Sequence, residues 1–167
     1  MEKVSKATAS DVQASFRELA KTASQLNTVS DALGKYVAEV ETGLKTLNLG
    51  VAAWVNFGEW TSSDGMITTC HQVGFAKIGK SWSIGVRHFD DAVWADEWVN
   101  FEMWVFNEAP RQSRIDAIDH LPALIQALNK EAAKIAKVVA DKLPSACKVA
   151  SDIATATGAN TYGNVAK

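Results

Sequence analysis

From residue 16 to residue 47 one series of positions recurs at alternating steps of three and four: Phe16, Leu19, Ala23, Leu26, Ser30, Leu33, Val37, Val40, Leu44 and Leu47. Only a helix brings such positions onto one side, and all but Ser30 are apolar, so the seam predicts a long coiled-coil-like helix over residues 8–48. Thr8, Ser10 and Asp11 are candidate caps at its start, and Gly50 is a candidate stop. Ala20, Val29 and Tyr36 widen the apolar side, while Glu41 is the single charge among the flanking positions from Ala20 to Gly43. A two-stranded zipper selects its partner through flanking charges; a broad, weakly charged face suits a helix packed on several neighbours. Ser30, Gly34 and Gly43 weaken the helix locally and predict a break near its middle.

A second seam, Ile118, Leu121, Ile125, Leu128, Ala132, Ile135 and Val139, predicts a helix over residues 110–143. Pro110 suits its first turn, Pro122 kinks or splits it near His120, and Pro144 ends it. "SACKVASDIATA" then offers one further short helix, and residues 158–167 read as a frayed polar tail.

Between the seams the pattern changes. Residues 50–107 hold all six tryptophans, and the apolar period falls towards two. Four strands are expected: "VAAWVNFGEW", "MITTCHQVGFAKI", "WSIGVRHF" and "WVNFEMWVF". Short links join them, so the sheet is an antiparallel meander and the class is α+β. No repeat and no linker interrupts residues 1–157, which read as a single domain.

The second and third strands fix their own register. Gly79 and Lys80 form a type II′ turn, which sets Lys77 opposite Trp82, Phe75 opposite Ile84, Val73 opposite Val86 and His71 opposite His88. These pairs share one bulky face. The other face carries Ala76 with Ser83, Gly74 with Gly85 and Gln72 with Arg87; its small residues leave room for a close backbone or a ligand. On the last strand, alternation sets Trp98 with Trp104 on one face and Phe101 with Met103 on the other. Both faces are then partly apolar, as in a sheet covered once by its own helices and once by another subunit.

Charge and cysteines narrow the partners. The net charge is -2, which gives no field for nucleic acid or an anionic membrane. Residues 51–108 hold three basic against eight acidic side chains, whereas residues 109–167 hold eight basic against five acidic. No stretch is apolar enough to span a bilayer and the opening residues lack an export leader. Cys70 and Cys147 form no metal or disulfide motif, which points to a reducing cytoplasm.

Three kinds of site are conceivable. His71, His88 and a carboxylate from Asp90 or Asp91 offer a metal or acid–base site, but without a zinc-binding spacing; the plain alternative is a neutral cross-strand histidine pair. Trp54, Trp60, Trp82, Trp98 and Trp104, with Arg87, Arg111 and Arg114, offer stacking faces and cations for a planar or nucleotide-like ligand or a protein partner. The plain alternative is core and subunit contact, which is the favoured reading. No nucleophile motif, phosphate loop or cofactor motif is present. The two long apolar helices exceed what one small sheet covers, so the expectation is a homo-oligomer, a dimer or higher. The leading function is a non-enzymatic binding protein with a Trp-rich sheet; a ligand-sequestering protein comes second and a metal-dependent hydrolase last.

Overall fold

The computed structural model describes residues 9–157. It contains a helix α1 (Ala9–Thr46), strands β1 (Ala53–Thr61), β2 (Ile67–Ile78), β3 (Ser81–Ala92) and β4 (Val99–Val105), a 3-10 turn at Phe106–Glu108, and helices α2 (Arg111–Ile118) and α3 (Leu121–Ala156). The sheet is an antiparallel meander in the order β1-β2-β3-β4. The α+β class follows, with a long helix on each side of the sheet in sequence. Thr8 and the expected tail at residues 158–167 lie outside the described residues.

The β2–β3 hairpin adopts the register that its turn dictates. Gly79 takes the left-handed φ of 62° that a II′ turn requires, and His71 pairs with His88, Val73 with Val86, Phe75 with Ile84 and Lys77 with Trp82. The bulky face of this hairpin meets the helices. Val73, Ile84 and Val86 are fully buried there with Phe75, against Val37 and Leu44 of α1, Ala117 of α2, and Leu124 and Leu128 of α3.

The small residues on the other face are covered by their own sheet. A Cβ on Gly74 would collide with the Trp54 indole, and one on Gly85 with the Ile78 side chain and the Trp104 carbonyl. Trp54 and Ile78 thus lie flat across the glycines, so neither a helix backbone nor a ligand occupies that space.

Three places in the helices compare with expectation. First, α1 runs without a break through Ser30, Gly34 and Gly43. Gly34 sits where Asn107 presses on the helix, and any Cβ there would lie 2.6 Å from the Asn107 side-chain oxygen. The Asn107 side chain fills the space that a Cβ would take, and the packing of Val37 and Leu44 on the sheet offsets a propensity cost of about 1 kcal/mol. The helix stops at Thr46, with Asn48 in the left-handed region, ahead of the stop expected at Gly50. Second, as expected, the chain splits at Asp119–His120, and Pro122 falls in the first turn of α3, where its missing N–H costs nothing. Third, Pro144 lies inside α3, which continues to Ala156 and absorbs the expected short helix. The whole stretch around Pro144 is exposed, so water can satisfy the one carbonyl whose helical partner proline removes.

Each long helix has a packed part and a projecting part. No residue from 10 to 29 is buried, and neither is any from 133 to 156. The two helices do not run side by side. The seam of α1 packs on the sheet through Val37 and Leu44 and makes no extended pairing with α3.

One contact closes a sheet edge. Ile84 faces away from β2 in its hydrogen bonding, and β4 ends at the Gly85–Val105 pair. The Ile84 N–H would be left open there, but Glu41 of α1 accepts it at 2.7 Å while its other oxygen binds Lys45. The lone flanking charge of the α1 seam thus caps an exposed strand edge.

Candidate functional site

The nominated residues separate into four places. On the helix-covered face, the imidazoles of His71 and His88 stack with ring centres 3.7 Å apart. Trp60 meets His71 edge-on at 4.5 Å, and Trp104 meets His88 edge-on at 5.2 Å. Phe57, on the same side of β1 as Val55, contacts His71, His88 and also His120 from the α2–α3 junction, and the bulge between Asn56 and Gly58 turns Trp60 onto this face as well. All three histidines of the chain thus surround one phenyl ring.

The imidazoles are built to be neutral. Burial pushes His71 below the usual histidine range, against the opposing pull of Asp116 and Asp90. Burial also lowers His88, and the neighbouring His71 lowers it further. The Nε2 of His88 is enclosed without a hydrogen-bond partner. Asp90, the expected third ligand, spends one oxygen on Thr69 at 2.6 Å and the other on Asn100 at 2.7 Å. These bonds hold its carboxyl below the usual carboxylate range. Among the described residues, no three His, Cys, Asp or Glu side chains converge to hold a metal ion. Cys70 is buried next to this pair in sequence, and burial with nearby Glu59, Asp91 and Asp90 pushes its thiol up, away from a reactive thiolate.

The opposite, outer face carries the second cluster. The Arg87 guanidinium lies 4.1 Å from the Trp54 ring centre and 4.6 Å from that of Trp98. Its Nε donates to Gln72 at 2.7 Å; Gln72 donates to Asn56, and Asn56 donates to Glu59. This ladder crosses β3, β2 and β1 in order. Burial lowers the Arg87 pKa, yet a guanidinium stays charged at any physiological pH.

Trp98 stands on this outer face, whereas strict alternation sets it with Trp104. Asn100 takes φ 50° and the β3–β4 register slips between His88 and Asp90, which reverses the side chains beyond it. Trp98 stacks on Phe89 at 4.2 Å and on Phe101 at 5.9 Å. Both Trp98 and Phe101 remain 46% exposed. With Asp96 and Glu97 they line an open cavity of about 490 Å³.

The remaining candidates lie elsewhere. Trp82 stacks on Phe75 at the hairpin end, beside a cleft of about 290 Å³ bordered by Leu44 and Leu49. Arg111 donates to Asn27 of α1 at 2.8 Å. Arg114 lines a groove with Gly34 and Asn107, and its Nε is buried without a partner. Trp54, Arg87 and Trp98 are therefore brought together, Trp60 and Trp104 flank the histidines, and Trp82, Arg111 and Arg114 stand apart.

Sequence reasoning missed His120 and Phe57: alternation with Ala53 and Val55 could have found Phe57, whereas His120 arrives through the helix junction before Pro122, which has no fixed motif. Among the described residues no helix is long and apolar enough to cross a membrane. Compared with known proteins, the chain matches no family model, no curated relative and no solved structure.

Proposed function

We propose that this is a non-enzymatic, homo-oligomeric interaction protein, assembled through the projecting parts of α1 and α3. The observation that carries the reading is the pair of uncovered apolar stripes. Val12, Phe16, Leu19, Leu26 and Val29 on α1, with Ile135, Val138, Val139, Leu143, Val149 and Ile153 on α3, are 44–69% exposed. Divided between two helices, these eleven side chains leave on the order of 1,000 Å² of apolar surface in water, and a standard interface takes about 800 Å² from each partner. A second copy offers the same stripes and so is a self-complementary cover.

The other readings have less support. A planar ligand stacked between Trp54 and Trp98 would have to displace the Arg87 side chain, and a metal at His71 and His88 would have to recruit a carboxylate that already has two donors. The reading also places the protein in a reducing cytoplasm, which its two free thiols suit.

Sedimentation equilibrium over a wide concentration range tests the reading. The wild-type chain is expected to assemble, and Leu19→Glu/Val139→Glu to sediment as a monomer with an unchanged near-ultraviolet tryptophan spectrum. Both replaced side chains are exposed, so the core survives the change. A wild-type monomer at every concentration refutes the proposal.

A further inference from the structure

The geometry points to the outer patch at the β3–β4 loop as a docking site for an arginine-bearing segment of a partner protein. This rests on the reading of the chain as an interaction protein and gives its sheet a partner of stated chemistry. Three observations support it. Trp98 and Phe101 form a parallel aromatic wall that is half in water, with Trp94 60% exposed on the preceding loop. Asp96 and Glu97 border the same cavity. From His88 to Pro110 the chain has no lysine or arginine but holds Asp90, Asp91, Asp96, Glu97, Glu102 and Glu108. An aromatic wall bordered by the two carboxylates of Asp96 and Glu97 is complementary to a cation with a flat face.

The chain itself already solves this recognition problem once. Arg87 sits over Trp54 and Trp98 and donates to Gln72, so the indole on the inner side of the cavity is in use as a guanidinium platform. A guanidinium entering from outside would meet Phe101 and Trp98 with its face and Asp96 or Glu97 with its N–H groups. Arginine fits better than lysine, because its planar fork can stack and form paired hydrogen bonds at once.

Titration of the full chain with a capped Arg-Gly-Arg-Gly-Arg peptide at low salt, followed by tryptophan fluorescence, tests the site. A Lys-Gly-Lys-Gly-Lys peptide is the comparator. Saturable binding is expected, tighter for the arginine peptide, and weakened about tenfold by Asp96→Asn/Glu97→Gln and by Phe101→Ala. The three replaced side chains are exposed, so the fold does not depend on them. Absence of saturable binding, equal affinity for the two peptides, or affinity unchanged in both variants overturns the site. Sedimentation of the same samples separates the two proposals: a monomer that binds the arginine peptide refutes self-assembly alone, and an oligomer that ignores it refutes this site alone.

Discussion

The two halves of α1 carry one pattern and meet two fates. Val37 and Leu44 are 3% and 8% exposed, whereas Phe16 and Leu19, on the same seam, are 69% and 63% exposed. The same contrast divides α3, where Leu124 and Leu128 are 1% exposed and Val139 and Ile153 are 59% and 58% exposed. Spacing determines that a helix forms and which side of it is apolar. It does not determine what covers that side; the sheet, with strands of seven to twelve residues, reaches only part of each helix.

Paired truncations are the strongest way to break this comparison. Leu124→Ala is expected to cost about 2–5 kcal/mol, since it removes a buried side chain and leaves a cavity. Val139→Ala, in the exposed part of α3, should change the stability of the unassembled chain by less than about 0.5 kcal/mol. Denaturant unfolding at low concentration measures both; similar costs would mean that the two parts of α3 are packed alike.

A smaller effect is expected at the closed edge of β3. Glu41→Ala strips the Ile84 N–H of its acceptor and should destabilise the chain by about 1–3 kcal/mol. Chemical denaturation of this variant next to Lys45→Ala separates the two bonds of Glu41. Loss of the exposed ion pair alone should cost under about 1 kcal/mol, and equal losses would contradict the assigned role of the carboxylate.

The smallest effect belongs to the histidine pair and depends on pH. His71 and His88 are both lowered in the folded chain, so the unfolded chain takes up protons first as pH falls. Stability should hold above the ordinary histidine value of 6.5 and decline below it, until the folded imidazoles protonate in turn. His88→Gln should flatten that decline. A pH profile of melting identical to wild type would show that the stacked pair does not resist protonation.

Much of this was legible in the residues. The Gly79-Lys80 turn fixed the His71–His88 pairing, and the two seams fixed both helices to within a few residues at most boundaries. What escaped depended on contacts between distant segments. Pro144 reads as a terminator because proline removes a helical hydrogen bond, yet on a fully exposed stretch that loss is met by water. Trp98 reads as a neighbour of Trp104 because alternation assumes an unbroken ladder, and the left-handed Asn100 breaks it. Among the site candidates, the meeting of Trp54, Arg87 and Trp98 required both the glycine-lined path across β2 and that slip in register. Neither is visible in the spacing of the tryptophans.

The central claim is that the exposed halves of α1 and α3 are covered by a second copy. Hydrogen exchange read by mass spectrometry, at several protein concentrations, addresses it most directly, because an isolated helical segment of this length is marginal in water. Amides of residues 12–29 and 133–153 should become slower to exchange as concentration rises, while those of β2 and β3 stay protected throughout. Equal and rapid exchange of both helical segments at every concentration would contradict the account.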